Sequence, residues 1–306
     1  MGQRIWPVLG AAVATLFLVL VSDLAPFLTL LGHLLTPFPA AWVHMVAGAW
    51  SGVAVIGLSA GMLVFSGGLG EAGGYILHFG IGSFCLPFLL RKKWPWDRAV
   101  AVTLLVVTLS AALFFAGYAL RGEEKIVARQ VAAQLEEAKR ISAEAAMPPE
   151  QQAELEKILE WMATFVRRAY PALTVASNGL MLLFVLLLLN WAPGVGGRIG
   201  GTDFHDWTVS PWLIWGLIGG GFGTLFGGGL VETVSLNLLV VVVPVYYLQG
   251  LAIITFFFWK KHTALWLRFV GYLLAALLNP VPLLVTGMGV FDMWIGFRTP
   301  KIKKQG

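Results

Sequence analysis

The amino-acid sequence predicts an all-α polytopic integral membrane protein, with about eight transmembrane helices and an extramembrane α-helical hairpin. Composition, run length and charge placement carry that expectation. Hydrophobic residues make up 58% of the 306 and charged residues only 12%, about half the ~25% that a soluble domain carries. Mean hydropathy is +0.79, and apolar runs of bilayer-spanning length recur along the chain. The remaining charge sits between those runs, where it sets topology and meets anionic headgroups. The net charge of +5 therefore points to the lipid bilayer as partner and not to nucleic acid.

The first apolar run, residues 5–35, is interrupted by Asp23 and Pro26. No small-residue cleavage site follows it, so it reads as a retained span that continues as a membrane-embedded turn. Runs at 42–65, 75–90 and 99–120 come next, with a basic loop at 91–98. Together, 1–120 form the N-terminal half of the bundle. Runs at 171–191, 212–226, 234–259 and 269–297 fill the C-terminal half, 169–298, and a basic tail occupies 299–306. With both termini inside, 13 of the 21 cations fall in the cytosol: Arg4, those of the stalk, Arg298, Lys301, Lys303 and Lys304. The short loops alone favour the reverse, and termini inside is the orientation expected.

Between the halves, 121–168 hold eight Lys/Arg and nine Glu. Apolar residues recur there at helical spacing: Val127, Val131, Leu135 and Ala138, then Leu155, Ile158, Leu159, Met162 and Phe165. The break at Met147-Pro148-Pro149-Glu150 puts Pro149 and Glu150 in a second helix's first turn. The segment predicts two antiparallel, coiled-coil-like helices reaching roughly 30 Å from the membrane. Val131 and Leu135 are expected to pack on Leu155 and Leu159, leaving the glutamates solvated.

Glycines at Gly48-x-x-x-Gly52, Gly57-x-x-x-Gly61, Gly216-x-x-x-Gly220 and Gly223-x-x-x-Gly227 mark faces where helices, or other membrane subunits, approach closely. No catalytic constellation appears, and the expectation is a protein that is no enzyme and holds no cofactor or metal. The glycine-rich 194–201 has Ile199 where a dinucleotide-binding turn needs its last glycine, and it lacks the Lys-Ser/Thr of a P-loop; it reads as a flexible connector. Glu123-Glu124 with Arg129 misses the spacing of intramembrane CAAX-type proteases by one residue. His44 and His78 read as hydrogen-bonded helix residues in preference to haem ligands. Asp203, His205 and Asp206 read as a solvated loop, and Cys85, with no C-x-x-C, as a packing residue.

Intramembrane polar groups carry the stronger signal, because each needs a partner, water or a ligand. They are Asp23, Glu232, Asn237, Gln249, Asn279 and Asp292. An unpaired amide in hydrocarbon costs several kcal/mol, and an ionised carboxylate at mid-depth at least ~2.5 kcal/mol. The candidate ligand-binding set is Asn237 and Gln249, on one helix either side of Pro244, opposed by Asp292 on the last helix. Plain interhelical hydrogen bonding is the other reading. Arg298 serves as an interface anchor. Its six-residue spacing from Asp292 is poor for an intrahelical pair, so each looks for a partner elsewhere unless Arg298 reaches back from a neighbouring turn.

Several of these residues also carry a family resemblance. They are Asn237-Leu238-Leu239, Tyr247-Leu248-Gln249-Gly250-Leu251-Ala252 and the closing Gly289-Val290-Phe291-Asp292-Met293-Trp294-Ile295-Gly296-Phe297-Arg298. Pro171-Ala172-Leu173, Asn190 and Pro211-Trp212 fit as well. The chain resembles the YybS-like family of bacterial membrane proteins (domain of unknown function 2232), departing at Gly296, where an acidic residue is expected. The resemblance implies a multi-pass protein of the bacterial cytoplasmic (inner) membrane and assigns no activity. That family is similar in pattern to the substrate-binding subunits of energy-coupling-factor transporters. The expectation is therefore a small-molecule-binding or transport-associated subunit. The alternative is a structural or assembly scaffold acting through the stalk on other membrane-protein subunits.

Overall fold

The computed structural model describes residues 5–22, 26–119, 126–144 and 148–298. Asp23, Glu123-Glu124, Arg4 and the tail lysines lie outside them. The described residues form α-helices joined by short turns, with one isolated bridge between Pro95 and Gly200 and no strand. The protein is thus an all-α polytopic membrane protein. Its contacts divide it into two units, 1–124 with 177–201 and 125–176 with 202–306.

The first unit is a series of reversals that an apolar run conceals. Helices α1 (Ile5–Ser22) and α2 (Pro26–Leu35) fold against each other: a Cβ on Gly32 would overlap Ser22 Oγ. Thr29 Oγ1 donates to the Ser22 carbonyl at 2.5 Å. The expected single first span therefore doubles back, and Leu28–Ala47 is apolar and long enough to cross by itself. That stretch includes α3 (Phe38–Ala47), which ends at Gly48 with φ 109°. A Cβ on Gly52 would lie 2.6 Å from His44 Cβ, whereas an unbroken helix would hold these residues ~12 Å apart. Glycine alone takes that φ cheaply. The run expected at 42–65 is therefore broken here. Gly48 makes the turn and Gly52 receives the opposite helix, so the two are not one packing face.

The third reversal is at Gly68 (φ 84°, ψ −173°), inside α4 (Ala49–Tyr75). A Cβ on Gly80 would touch Ile56 at 3.1 Å, although 24 residues of straight helix would separate them by ~36 Å. Ala49–Arg91, which continues through a π-helical turn (Ile76–Gly80) into α5 (Ile81–Arg91), is consequently folded back on itself at Gly68. Leu86 and Leu90 of α5, Ala99 and Val100 of α6 (Trp96–Ala119) and Met181 and Leu189 share this unit's main core.

In the second unit, α7 (Ile126–Glu144) and the start of α8 (Pro149–Trp191) form the charged segment. Lys139 Nζ meets Glu160 Oε1 at 2.9 Å. Twenty-one residues of one helix would span ~31 Å, so the two helices run antiparallel. The hydrogen-bonded Glu160 carboxylate holds the Lys139 ammonium above its ordinary value. The pair is exposed and contributes little stability. Val131, Leu135, Leu155 and Leu159 are half-buried, while Ile158 and Met162 are exposed. Cysteines placed at Leu135 and Leu159 in a Cys85→Ala background should form a disulfide in membranes under mild oxidation. An unlinked pair at normal abundance would overturn this register.

Helix α9 (Leu213–Phe226) seats on α10 (Leu230–Lys260) through glycine. Added Cβ atoms would meet Leu239 at 3.0 Å from Gly220 and Val242 at 3.3 Å from Gly216. Gly57 and Gly61 differ from that expectation, because nothing lies within 4 Å of a Cβ at either. The last apolar run is likewise not one helix. Helices α11 (Leu265–Leu277) and α12 (Val281–Ile295) meet at 96°, where Pro280 and Pro282 withhold backbone N–H groups and bias Asn279 away from helix. Among the described residues six helices qualify as spans by length and composition, seven with the bent pair as one.

Candidate functional site

The second unit gathers three of the four residues singled out from sequence. Gln249 Nε2 donates to Asp292 Oδ2 at 3.1 Å, and Gln249 Oε1 accepts from the Val209 amide at 3.1 Å. Arg298 Nη2 donates to the same Asp292 oxygen at 2.5 Å, and the Phe297 amide to Oδ1 at 3.1 Å. The other end of the guanidinium, Nη1, reaches the carbonyls of His205 at 3.1 Å and Trp207 at 2.8 Å. Six residues are thus bridged after all. The reason is Gly296, whose left-handed conformation (φ 58°, ψ 57°) ends α12 and folds 297–298 back over its last turn. Asp292 is buried and Arg298 largely so, their side chains 7% and 11% exposed.

Asn237 stands apart, twelve residues or ~18 Å along α10. Its Nδ2 donates to the carbonyls of Arg168 at 2.7 Å and Thr233 at 2.8 Å, and its Oδ1 accepts from the Ala172 amide at 3.0 Å. The Arg168 carbonyl and the Ala172 amide stand one turn apart on α8. The Asn237 amide bridges them beside Pro171, and Arg168 also pairs with Glu232 at 2.7 Å. Asn279 lies at the bend between α11 and α12. His205 stacks on Trp259 with ring centroids 4.6 Å apart. Among the described residues no three His, Cys, Asp or Glu side chains converge as metal ligands.

The first unit is different in character. His44 and Asn178 are fully buried there, and both His44 ring nitrogens and Asn178 Oδ1 have no hydrogen-bond partner among the described residues. His78 does have one: its Nε2 lies 3.2 Å from His33 Nδ1. At the end of α3 the same unit opens a cavity of about 570 Å³, walled by residues 45–51, Leu90, Arg91, Lys93 and Arg198. Arg91 Nη1 donates to the His44 carbonyl at 2.9 Å, and Arg198 Nη1 to the Met45 carbonyl at 3.1 Å. Both guanidiniums are so held on the C-terminal carbonyls of α3, where cations are favoured.

Arg198 belongs to the glycine-rich 194–201, which is not the flexible connector that its composition suggests. Val195 is fully buried, and Trp42 Nε1 donates to the Pro193 carbonyl at 3.1 Å. The Trp96 amide bonds the Gly200 carbonyl at 2.9 Å. Gly194, Gly197 and Gly201 all have positive φ, so these glycines shape a pinned turn. Sequence reasoning treated Arg91, Lys93 and Arg198 as charge flanking the spans. Only the reversal at Gly48, itself unreadable within an apolar run, brings them to one cavity.

A family model described as a predicted membrane protein (DUF2232) matches residues 13–293. No curated protein and no solved structure matches the chain.

Proposed function

The chain belongs to the DUF2232 family of predicted membrane proteins, and from that premise we propose that it is a small-molecule-binding or transport-associated subunit without catalytic chemistry of its own. One observation carries the reading. The cavity beside Gly48, about 570 Å³, falls within the roughly 300–1,000 Å³ usual for small-molecule sites. In contrast, Asn237, Gln249 and Asp292 already hold protein partners. A ligand there would have to exchange with them, so we assign these residues to bundle cohesion and binding to the first unit. The complete pairing of the three favours a second reading, a membrane scaffold that engages other subunits through the stalk.

Thermal unfolding of the full-length protein in nanodiscs separates the two. A ligand at a hundred times its Kd stabilises by about 2.7 kcal/mol. A panel of small anions, cations and neutral compounds should contain a class that raises the midpoint, and Ser51→Phe, which fills the cavity, should abolish the rise. If no class shifts the wild-type midpoint, the binding reading fails and the scaffold stands.

A further inference from the structure

We propose that the cavity beside Gly48 takes a phosphate-bearing anion at the membrane–water boundary, with Arg91, Lys93 and Arg198 as its cationic ligands; this rests on the binding reading above and names the ligand's chemistry. Three cationic side chains, from the end of α5, the turn after it and the 194–201 turn, line one cavity, and no Asp or Glu among the described residues lines it. None of the three pairs with a carboxylate among the described residues. Three like charges gathered without a counter-ion repel one another, and an anion relieves that repulsion.

The donors are also pre-set. Each arginine fixes one terminal nitrogen on an α3 carbonyl, which orients the guanidinium and leaves its remaining N–H groups for a second acceptor. A guanidinium fork matches the oxygens of phosphate bidentately, and lysine adds a point charge. Lys93 is held in a left-handed turn (φ 63°) that brings it into the same wall. The wall also contains Ala49 and Trp50, the first residues of α4, whose amides have no acceptor within their own helix. The depth is set by aromatic residues. Trp50 is 86% exposed and Trp94 41% exposed, as expected of side chains at headgroup level. Phosphate at this depth has two sources, a lipid headgroup or a free phosphate compound.

The test uses the full chain in phosphatidylcholine nanodiscs, with inorganic phosphate against chloride at equal ionic strength in one arm. The other arm adds phosphatidylglycerol and counts retained lipid by native mass spectrometry. Stabilisation by phosphate assigns the site to a free phosphate. Retention of phosphatidylglycerol alone assigns it to a headgroup. Either must weaken at least tenfold in Lys93→Gln/Arg198→Gln, the loss of two charge-assisted contacts. Lys93→Gln alone, at a side chain with no ion pair among the described residues, guards against simple misfolding and should weaken binding severalfold at an apo midpoint that is unchanged or raised, because one repelling charge is gone. Binding of neither phosphate source, or equal binding by wild type and both variants, overturns the proposal. A neutral compound whose effect Ser51→Phe removes but Lys93→Gln/Arg198→Gln spares would keep the binding reading and overturn the anion.

Discussion

Replacing Asp292 by Leu should destabilise the protein by about 3–5 kcal/mol and strip most of it from the membrane, the cost of orphaning one partner of a buried ion pair. Arg298, 11% exposed, would keep its charge with only the His205 and Trp207 carbonyls to meet it. Gln249 Nε2 and the Phe297 amide would lose their acceptor as well. Gln249→Leu should cost less, about 1–3 kcal/mol, because it leaves the Val209 amide unpaired but no naked charge. Asp292→Leu/Arg298→Leu should recover part of the loss, since removing both charges is milder than removing one. Membrane abundance and thermal midpoint, measured beside a growth or uptake phenotype, decide the residue's role. Normal abundance and midpoint with lost function would mean that the carboxylate serves a ligand, and the cohesion reading would fall.

What the sequence conveyed follows a physical divide. Apolar length and charge blocks report where lipid ends, and these located the membrane runs and the charged segment at 121–168. Reversal within an apolar run has no such marker. Gly48 and Gly68 turn the chain through positive φ, yet in one sequence they look the same as Gly57 and Gly61, which face open space. Polar residues were legible as groups that need partners, and Gln249, Asp292 and Arg298 do meet. Their mode of meeting was not legible, because helical spacing disfavours 292 with 298 and only the left-handed Gly296 overrides it. The basic cavity was the least readable part. Its residues come from positions 45–51, 90, 91, 93 and 198, and their convergence depends on the turn at Gly48.

Gly250→Ala and Gly289→Ala should each destabilise by about 1–3 kcal/mol, at the upper end because the obstruction is backbone. A Cβ on Gly250 would overlap the Val285 carbonyl oxygen, and one on Gly289 would overlap that of Tyr246 and lie 2.9 Å from the Gly250 amide nitrogen. The two glycines answer each other across α10 and α12, a reciprocal contact that a rotamer change cannot relieve. In lipid no hydrophobic force drives helices together, so such close backbone approach supplies much of the cohesion. Separating the helices would also lengthen the 3.1 Å contact between Gln249, next to Gly250, and Asp292, three residues beyond Gly289. Gly219→Ala and Gly221→Ala provide the contrast, since nothing lies within 4 Å of a Cβ at either. Those should be neutral or stabilising by up to ~1 kcal/mol, because alanine is the better helix former. The readout is the thermal midpoint of all four variants in one detergent. If Gly250→Ala and Gly289→Ala unfold no earlier than Gly219→Ala, the α10–α12 contact does not hold the second unit together.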